Sequence, residues 1–372
     1  MPKKVLILYA TMGLGHKFIA QNIGEHLKQN GYEVRLDDIL QVQSGKLVST
    51  SSVIYLWLLK KLPWLWKWIY TINLVNLLLP LRTIVAGRNS ENAKKIVSEY
   101  DPDIILSTEV AASAVVAYLK KTGFYKKLFG ITFSDFHLHR FWVHREADFY
   151  FVNIQEQKDE LIKLGFHPEK ILLNGIPLWP TPVDPQAVRA KLGIISRKVI
   201  LVSAGSLGFG IDKKYVLNLL AEFEKNNLDF NMVLVCGKFK ELFDELSTIN
   251  DPRLKLFGFY SPMDELYAIS DIFVGKPGGL STTESIYRRL PIIITHWMPG
   301  GEDMNVEYLT KNRLVMPVTN PGSDRRDEIT KEVVSELSSG SFRKVLENNS
   351  ELISSIANTD PSRIGEFLKK LP

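Results

Sequence analysis

The densest run of chemically capable residues lies between Val274 and Asn305, VGKPGGLSTTESIYRRLPIIITHWMPGGEDMN. It reads as a strand, a glycine turn, a helix start, a second strand and a second glycine turn. Gly278 and Gly279 let the backbone come close to a phosphate, and a helix opening at Ser281 directs unpaired N–H groups and the positive end of its dipole at the anion. Glu284 adds one carboxylate. The lysine of GxxxxGK[ST] is missing, which argues against a P-loop, and the missing GxGxxG argues against a dinucleotide fingerprint. A nucleotide diphosphate carrying a sugar fits better. The same four residues, Ser281 to Glu284, also satisfy a capping box, in which case they merely start a helix. The second turn, Pro299 to Asp303, follows the next strand, and adjacent strand ends of an open parallel sheet share one crevice.

The elements that position these residues alternate from the N-terminus. KVLILYA is followed by a glycine loop through Gly13 and Gly15, a helix from His16 to about Gln29, and the strand YEVRLDD. After residue 100 come DIILST, a helix near 110–122, LFGITFSD, DFYFVN, a further helix to Leu164, and KILLNG. GIPLWPTPVDP then carries Pro177, Pro180, Pro182 and Pro185, which cannot continue a helix or a central strand and reads as a stiff linker. Beyond it VILVSAG, NMVLVCGK, LKLFGF and DIFVGKP repeat the alternation. The fold class expected is α/β, two Rossmann-like domains facing a cleft. Their boundaries fall at 1–175, 176–186 for the linker and 187–372, the last helix packing back on the N-terminal domain.

A chain of 372 residues with 45% hydrophobic and 23% charged residues has a globular composition and room for two domains. The single cysteine, Cys236, lies in an apolar run, which excludes an internal disulfide framework and a cysteine-based zinc site and fits a cytoplasmic setting. The N-terminal apolar stretch is too short for a signal peptide and reads as a first buried strand. The net charge of +5 is unevenly spread: residues 1–174 hold 22 Lys and Arg against 16 Asp and Glu, and residues 175–372 hold 24 against 25. No acidic residue occurs from Ile39 through Ser90, a stretch that contains Lys60, Lys61, Lys67, Trp57, Trp64, Trp66 and Trp68. Tryptophans favour the headgroup boundary and lysines an anionic surface, so this stretch is expected to lie on a membrane rather than span it.

The motifs, taken in order, resemble the GT-B lipid glycosyltransferases that include processive diacylglycerol glucosyltransferase and monogalactosyldiacylglycerol synthase. They are Gly13-Leu-Gly15-His16, Ser134 through His144, Asn174-Gly-Ile-Pro177, Cys236-Gly-Lys238, Gly258-Phe259, Lys276-Pro-Gly-Gly279 through Glu284, and Pro299-Gly-Gly-Glu302 with Asn305. The resemblance implies transfer of a hexose from a UDP-sugar to diacylglycerol with inversion, on the inner face of the cell membrane. The family usually has glutamine where this chain has Gly301, which bears on the identity of the hexose; overall likeness points to glucose.

An inverting transfer needs a base, a grip on the nucleotide and a means of stabilising the departing diphosphate. His16, at a helix N-terminus after a strand, is the base candidate, and Asp135 could orient it or take the proton itself. For the UDP-sugar the resemblance implies Phe259 at the uracil, Glu284 at the ribose, Ser206, Gly278 and Gly279 with the phosphates, Gly301, Glu302 and Asn305 toward the hexose, and Gly15 and Ser281 within the same site, while Lys238 or Lys276 would meet the diphosphate charge. His139 and Trp142 are expected to line the acceptor side, a reading preferred to a zinc site built with His137 and His144. Asp101-Pro-Asp103 resembles a metal-binding DxD but precedes its strand, at the amino end of the sheet, so no metal or other cofactor is expected. The partners expected are UDP-hexose, diacylglycerol and an anionic membrane surface, with no nucleic acid. A peptidoglycan-precursor transferase using UDP-GlcNAc, a UDP-sugar epimerase and a non-catalytic membrane regulator that binds a nucleotide sugar remain as alternatives.

Overall fold

A computed structural model of the chain describes residues 2–10, 14–39, 64–65, 68, 70, 86–87, 90–205, 211–297, 300–318 and 326–371. Trp57, Lys60, Lys61, Trp66, Lys67 and Ser206 lie outside the described residues. The chain divides into two compact units, one of Met1–Trp179, Met298–Asn305 and Ser355–Pro372, the other of Pro180–Trp297 and Val306–Ser354.

The first unit is built on a parallel sheet of β1 (Lys4–Tyr9), β2 (Glu33–Asp38), β3 (Ile104–Ser107), β4 (Leu128–Thr132), β5 (Phe149–Val152) and β6 (Ile171–Leu173), in the order β2-β1-β3-β4-β5-β6. Val5 to Leu8, Ile104 to Leu106 and Phe149 to Val152 are continuous apolar runs with no exposure. Such runs suit parallel strands buried on both faces, whereas a strand with one wet face would alternate. The C-terminal segment belongs to this unit. β7 (Ile176–Pro177) pairs in parallel with β13 (Ala357–Asn358), and Phe367 meets the rings of Phe149 and Phe151 edge-on at 5.8 and 5.7 Å.

The second unit has its own parallel sheet: β8 (Lys198–Ser203), β9 (Phe230–Val235), β10 (Leu254–Phe257), β11 (Ile272–Gly275) and β12 (Ile292–Ile294), ordered β10-β9-β8-β11-β12. All six residues of β9 are buried, and Phe223 on the preceding helix closes edge-on against Phe230 at 5.1 Å. Cys236 follows β9 as a buried free thiol.

Strand order reverses once in each sheet, between β1 and β3 in the first and between β8 and β11 in the second. In open α/β sheets ligands bind outside the carboxyl ends of the strands at that reversal. The loops that follow β1, β3, β8 and β11 are therefore where each unit would hold its ligand.

Candidate active site

At the reversal in the first unit, Gly15 and His16 lie in the first turn of the helix Leu14–Gln29, which follows β1. His16 Nδ1 lies 2.6 Å from the carbonyl oxygen of Thr108, the residue after β3, and the Thr108 hydroxyl donates back to the His16 carbonyl at 3.1 Å. A carbonyl can only accept, so Nδ1 carries the proton and Nε2 is the free base of the neutral ring. The Trp142 ring sits 6.2 Å away. His16 is only partly buried.

Asp135 lies on the loop after β4 and is held by an amide network. Asn305 Nδ2 donates to its Oδ1 at 2.8 Å, and the Ser134 hydroxyl donates to Oδ2 at 3.0 Å. Asn305 Oδ1 accepts from the Phe136 N–H at 2.9 Å and faces His137 Nδ1 at 3.2 Å. Beneath the loop, the buried Asn153 and Gln157 each donate to the Asp135 carbonyl at 2.9 Å, and Gln157 also donates to the His137 carbonyl at 2.7 Å. Burial alone would raise the Asp135 carboxyl, but His137, the Asn305 amide, His16 and Ser134 together outweigh it and hold it below the ordinary range. Asp135 is thus an anion that helps orient positive or proton-accepting groups, and a weak base itself.

In the second unit the helix of the glycine motif runs Gly279–Tyr287, with Gly278 as its N-cap and no side chain capping it. The sequence pattern placed the helix start at Ser281, with a capping box from Ser281 to Glu284 as the alternative reading. The chain instead enters the helix directly from β11: the Thr282 N–H already bonds the Gly278 carbonyl at 3.0 Å, so Ser281 lies inside the first turn and its hydroxyl turns back to the Gly278 carbonyl at 3.3 Å. The first-turn N–H groups are left for an anion. Gly205, after β8, has φ +67°, and a Cβ there would stand 3.0 Å from Lys276 Cε, so the lysine stem lies across a residue that has no side chain. That places a cation across the strand reversal, beside the helix N-terminus.

Freed from capping, Glu284 meets the hydroxyl of the buried Tyr267. Burial raises its carboxyl to about 8, opposed by the Tyr267 hydrogen bond and assisted by the charge of Asp264. A carboxyl poised near neutrality accepts hydrogen bonds from a diol once ionised, at the cost of releasing a proton. Nearby, burial and the Lys276 charge push His296 down to about 4, and its Nδ1 lies 2.8 Å from the Thr295 hydroxyl. Lys238 and Phe259 follow β9 and β10, one and two strands from β8, or roughly 5 and 10 Å along the sheet edge. Both are exposed, Phe259 to 51%.

Three expected site residues are held by buried contacts within the first unit. Asn305, expected toward the hexose, is fully buried and gives both ends of its amide to the 135–137 loop. Trp142, expected at the acceptor, is 7% exposed and packs edge-on against Phe133 at 5.6 Å in the core. His139 is buried, stacked on Tyr70 at 4.0 Å, and pushed down to about 4 chiefly by burial. Gly301 opens the helix Gly301–Lys311, with Glu302 second and the Asp303 carboxylate accepting from the Gly300 N–H at 2.8 Å. Trp64 and Trp68 are 67% and 49% exposed. Asp103 accepts from the Lys4 N–H at 2.8 Å, and Lys127 bridges Asp101 and Asp103 at 2.9 and 3.3 Å, so this pair serves the amino end of the sheet. Sequence reasoning missed Thr108, Tyr267, Tyr70 and His296. Thr108 alone had a readable signal, a polar residue directly after a buried strand.

Residues 16–178 match the family described as monogalactosyldiacylglycerol (MGDG) synthase, and residues 184–349 match glycosyl transferases group 1. The chain is 29% identical to the processive diacylglycerol beta-glucosyltransferase of Bacillus subtilis (strain 168), across 99% of this chain and 95% of that one. Among solved structures it resembles the glycosyltransferase SnogD from Streptomyces nogalater, with TM-score 0.61, 13% identity and full coverage of both chains. It also resembles UDP-GlcNAc 2-epimerase from Neisseria meningitidis bound to UDP-GlcNAc, with TM-score 0.55, 14% identity, and coverage of 99% of this chain and 100% of that one. At such identities the structures speak for the fold alone, while the two sequence matches run in tandem along nearly the whole chain. With two parallel sheets of the doubly wound kind, the chain has the GT-B fold and is similar, along nearly its whole length, to the family of monogalactosyldiacylglycerol synthase and the processive diacylglycerol glucosyltransferases.

Proposed function

We propose that this enzyme transfers glucose, with inversion and without a metal, from UDP-glucose to the hydroxyl of diacylglycerol while docked on an anionic membrane surface at the inner face of the cell membrane. The observation that carries the chemistry is the fixed tautomer of His16, which leaves Nε2 free to accept a proton. In the step proposed, Nε2 takes the acceptor hydroxyl proton as the oxygen attacks the anomeric carbon. The bond from that carbon to the diphosphate oxygen breaks, and its electron pair leaves with UDP. Asp135, kept anionic, supports the imidazolium that results. The N-terminus of Gly279–Tyr287 and Lys276 meet the charge on the leaving diphosphate, Glu284 takes the ribose, and Phe259 the uracil.

The acceptor is proposed from the Bacillus subtilis relative's substrate, and the docking from the exposed pair Trp64 and Trp68 within a stretch free of acidic residues. Among the described residues no helix is long and apolar enough to cross a membrane. UDP release from UDP-glucose should depend on added diacylglycerol. Release or epimerisation that ignores the lipid would favour an epimerase-like activity instead.

A further inference from the structure

Tyr70 belongs to the tryptophan-bearing stretch, yet its side chain reaches the Asp135 loop. Its hydroxyl lies 2.8 Å from His137 Nε2, and its ring stacks on His139. The orientation of the intervening amide is fixed by chemistry. Asn305 Oδ1 accepts the Phe136 N–H, so its NH₂ must face Asp135 Oδ1. His137 Nδ1 faces the same Oδ1 and therefore carries a proton, so Nε2 meets the Tyr70 hydroxyl as acceptor in the neutral ring and as donor in the charged ring that lowers the Asp135 carboxyl. The result is a continuous hydrogen-bonded chain linking the Tyr70 hydroxyl through His137 and Asn305 to Asp135. Such chains polarise and stiffen every member.

Gly301 closes the argument. A Cβ at this position would stand 3.1 Å from the Tyr70 hydroxyl and 3.4 Å from the His137 ring. Tyr70 borders the space that a Cβ at 301 would use, so a residue with a Cβ there must shift the hydroxyl by a few tenths of an ångström.

We propose that Tyr70 is a positioning residue for the transfer reaction, holding Asp135 in place through His137 and Asn305, and that glycine at 301 exists to admit its hydroxyl. The inference rests on the proposed sugar transfer. Tyr70→Phe keeps the ring on His139 and removes only the hydroxyl. With UDP-glucose and diacylglycerol in anionic vesicles, kcat should fall about tenfold, since small misplacements of a reacting group cost this much or more. KM for the donor and Kd for UDP should stay as in the parent. Gly301→Ala, which displaces the hydroxyl from the other side, should show the same kcat loss, and the double variant should be no slower than either single one. A Tyr70→Phe variant within twofold of the parent, or losses that multiply in the double variant, would overturn the proposal. If the parent transfers no sugar at all, the functional reading fails and imidazole NMR decides this one. The His137 Nε2 resonance must move in both variants while that of His26, a buried ring whose Nε2 lies 2.8 Å from the Leu178 carbonyl, stays, and an unmoved His137 signal overturns the chain.

Discussion

Glu284→Gln separates a nucleotide ligand from a structural acid, because the two readings demand opposite behaviour. Burial holds the carboxyl at about 8, so at neutral pH the free protein carries it mainly as the acid. Glutamine imitates that neutral form and can keep the Tyr267 contact. For a group raised in the folded state, stability is fully present below the unfolded value near 4.5 and is lost as pH rises through the folded value. Each unit corresponds to ~1.4 kcal/mol, so the parent should lose about 2 kcal/mol of stability between pH 6 and 8 through this group. The glutamine variant should lack that component, unfolding at a temperature near the parent's at pH 5 and higher than the parent's at pH 8. Ligand binding should run the other way. A ribose diol donates to the carboxylate, so UDP must draw the proton off, and parent affinity should rise with pH up to about 8. Loss of charged hydrogen bonds in the variant should weaken UDP by roughly 1 to 3 kcal/mol, about 5- to 150-fold. Calorimetry in buffers of different ionisation enthalpy should register proton release in the parent and none in the variant. UDP binding equal in the two proteins refutes the ribose role, and parallel stability curves across pH refute the raised carboxyl.

Three further outcomes follow from the same geometry. His16→Ala should lower turnover by about 10² or more with UDP affinity nearly intact, as removal of a general base requires, and single-turnover kinetics near the parent rate would exclude it. Activity should persist in excess EDTA, because Lys127 and the Lys4 N–H already occupy the Asp101 and Asp103 carboxylates; loss restored by Mg²⁺ or Mn²⁺ would contradict this. Replacing Trp64 and Trp68 by Ser, or Lys60, Lys61 and Lys67 by Glu, should reduce sedimentation with anionic liposomes and leave UDP binding unchanged; undiminished sedimentation of either variant would remove that stretch from the docking surface.

The strands were legible because parallel strands covered on both faces read as unbroken apolar runs, and KVLILYA, NMVLVCGK and DIFVGKP each hold one. His16 and Gly278 were legible for the related reason that a strand, a glycine and a helix start mark the carboxyl edge of such a sheet. The helix start itself was misread by two residues. A capping-box pattern describes side chains that can cap, but the backbone passes from extended at Gly278 into the helix at Gly279, before Ser281 is reached. The larger omissions were long-range. Asn305 meets Asp135 across 170 positions of sequence and Tyr70 meets His137 across 67, and no local period reports such pairs. Tyr70 was further hidden by an apolar stretch in which any aromatic reads as membrane-facing. The raised carboxyl of Glu284 depends on burial beside Tyr267, which spacing alone does not encode.

The most direct test of the central claim is the anomeric configuration and sugar identity of the lipid product, determined by NMR after incubation with UDP-glucose and diacylglycerol in anionic vesicles. UDP-glucose is α-linked, so a single displacement with a base at His16 predicts β-glucosyl diacylglycerol, absent with His16→Ala. An α-linked product, or no glycolipid while the nucleotide sugar is consumed or epimerised, would contradict the account.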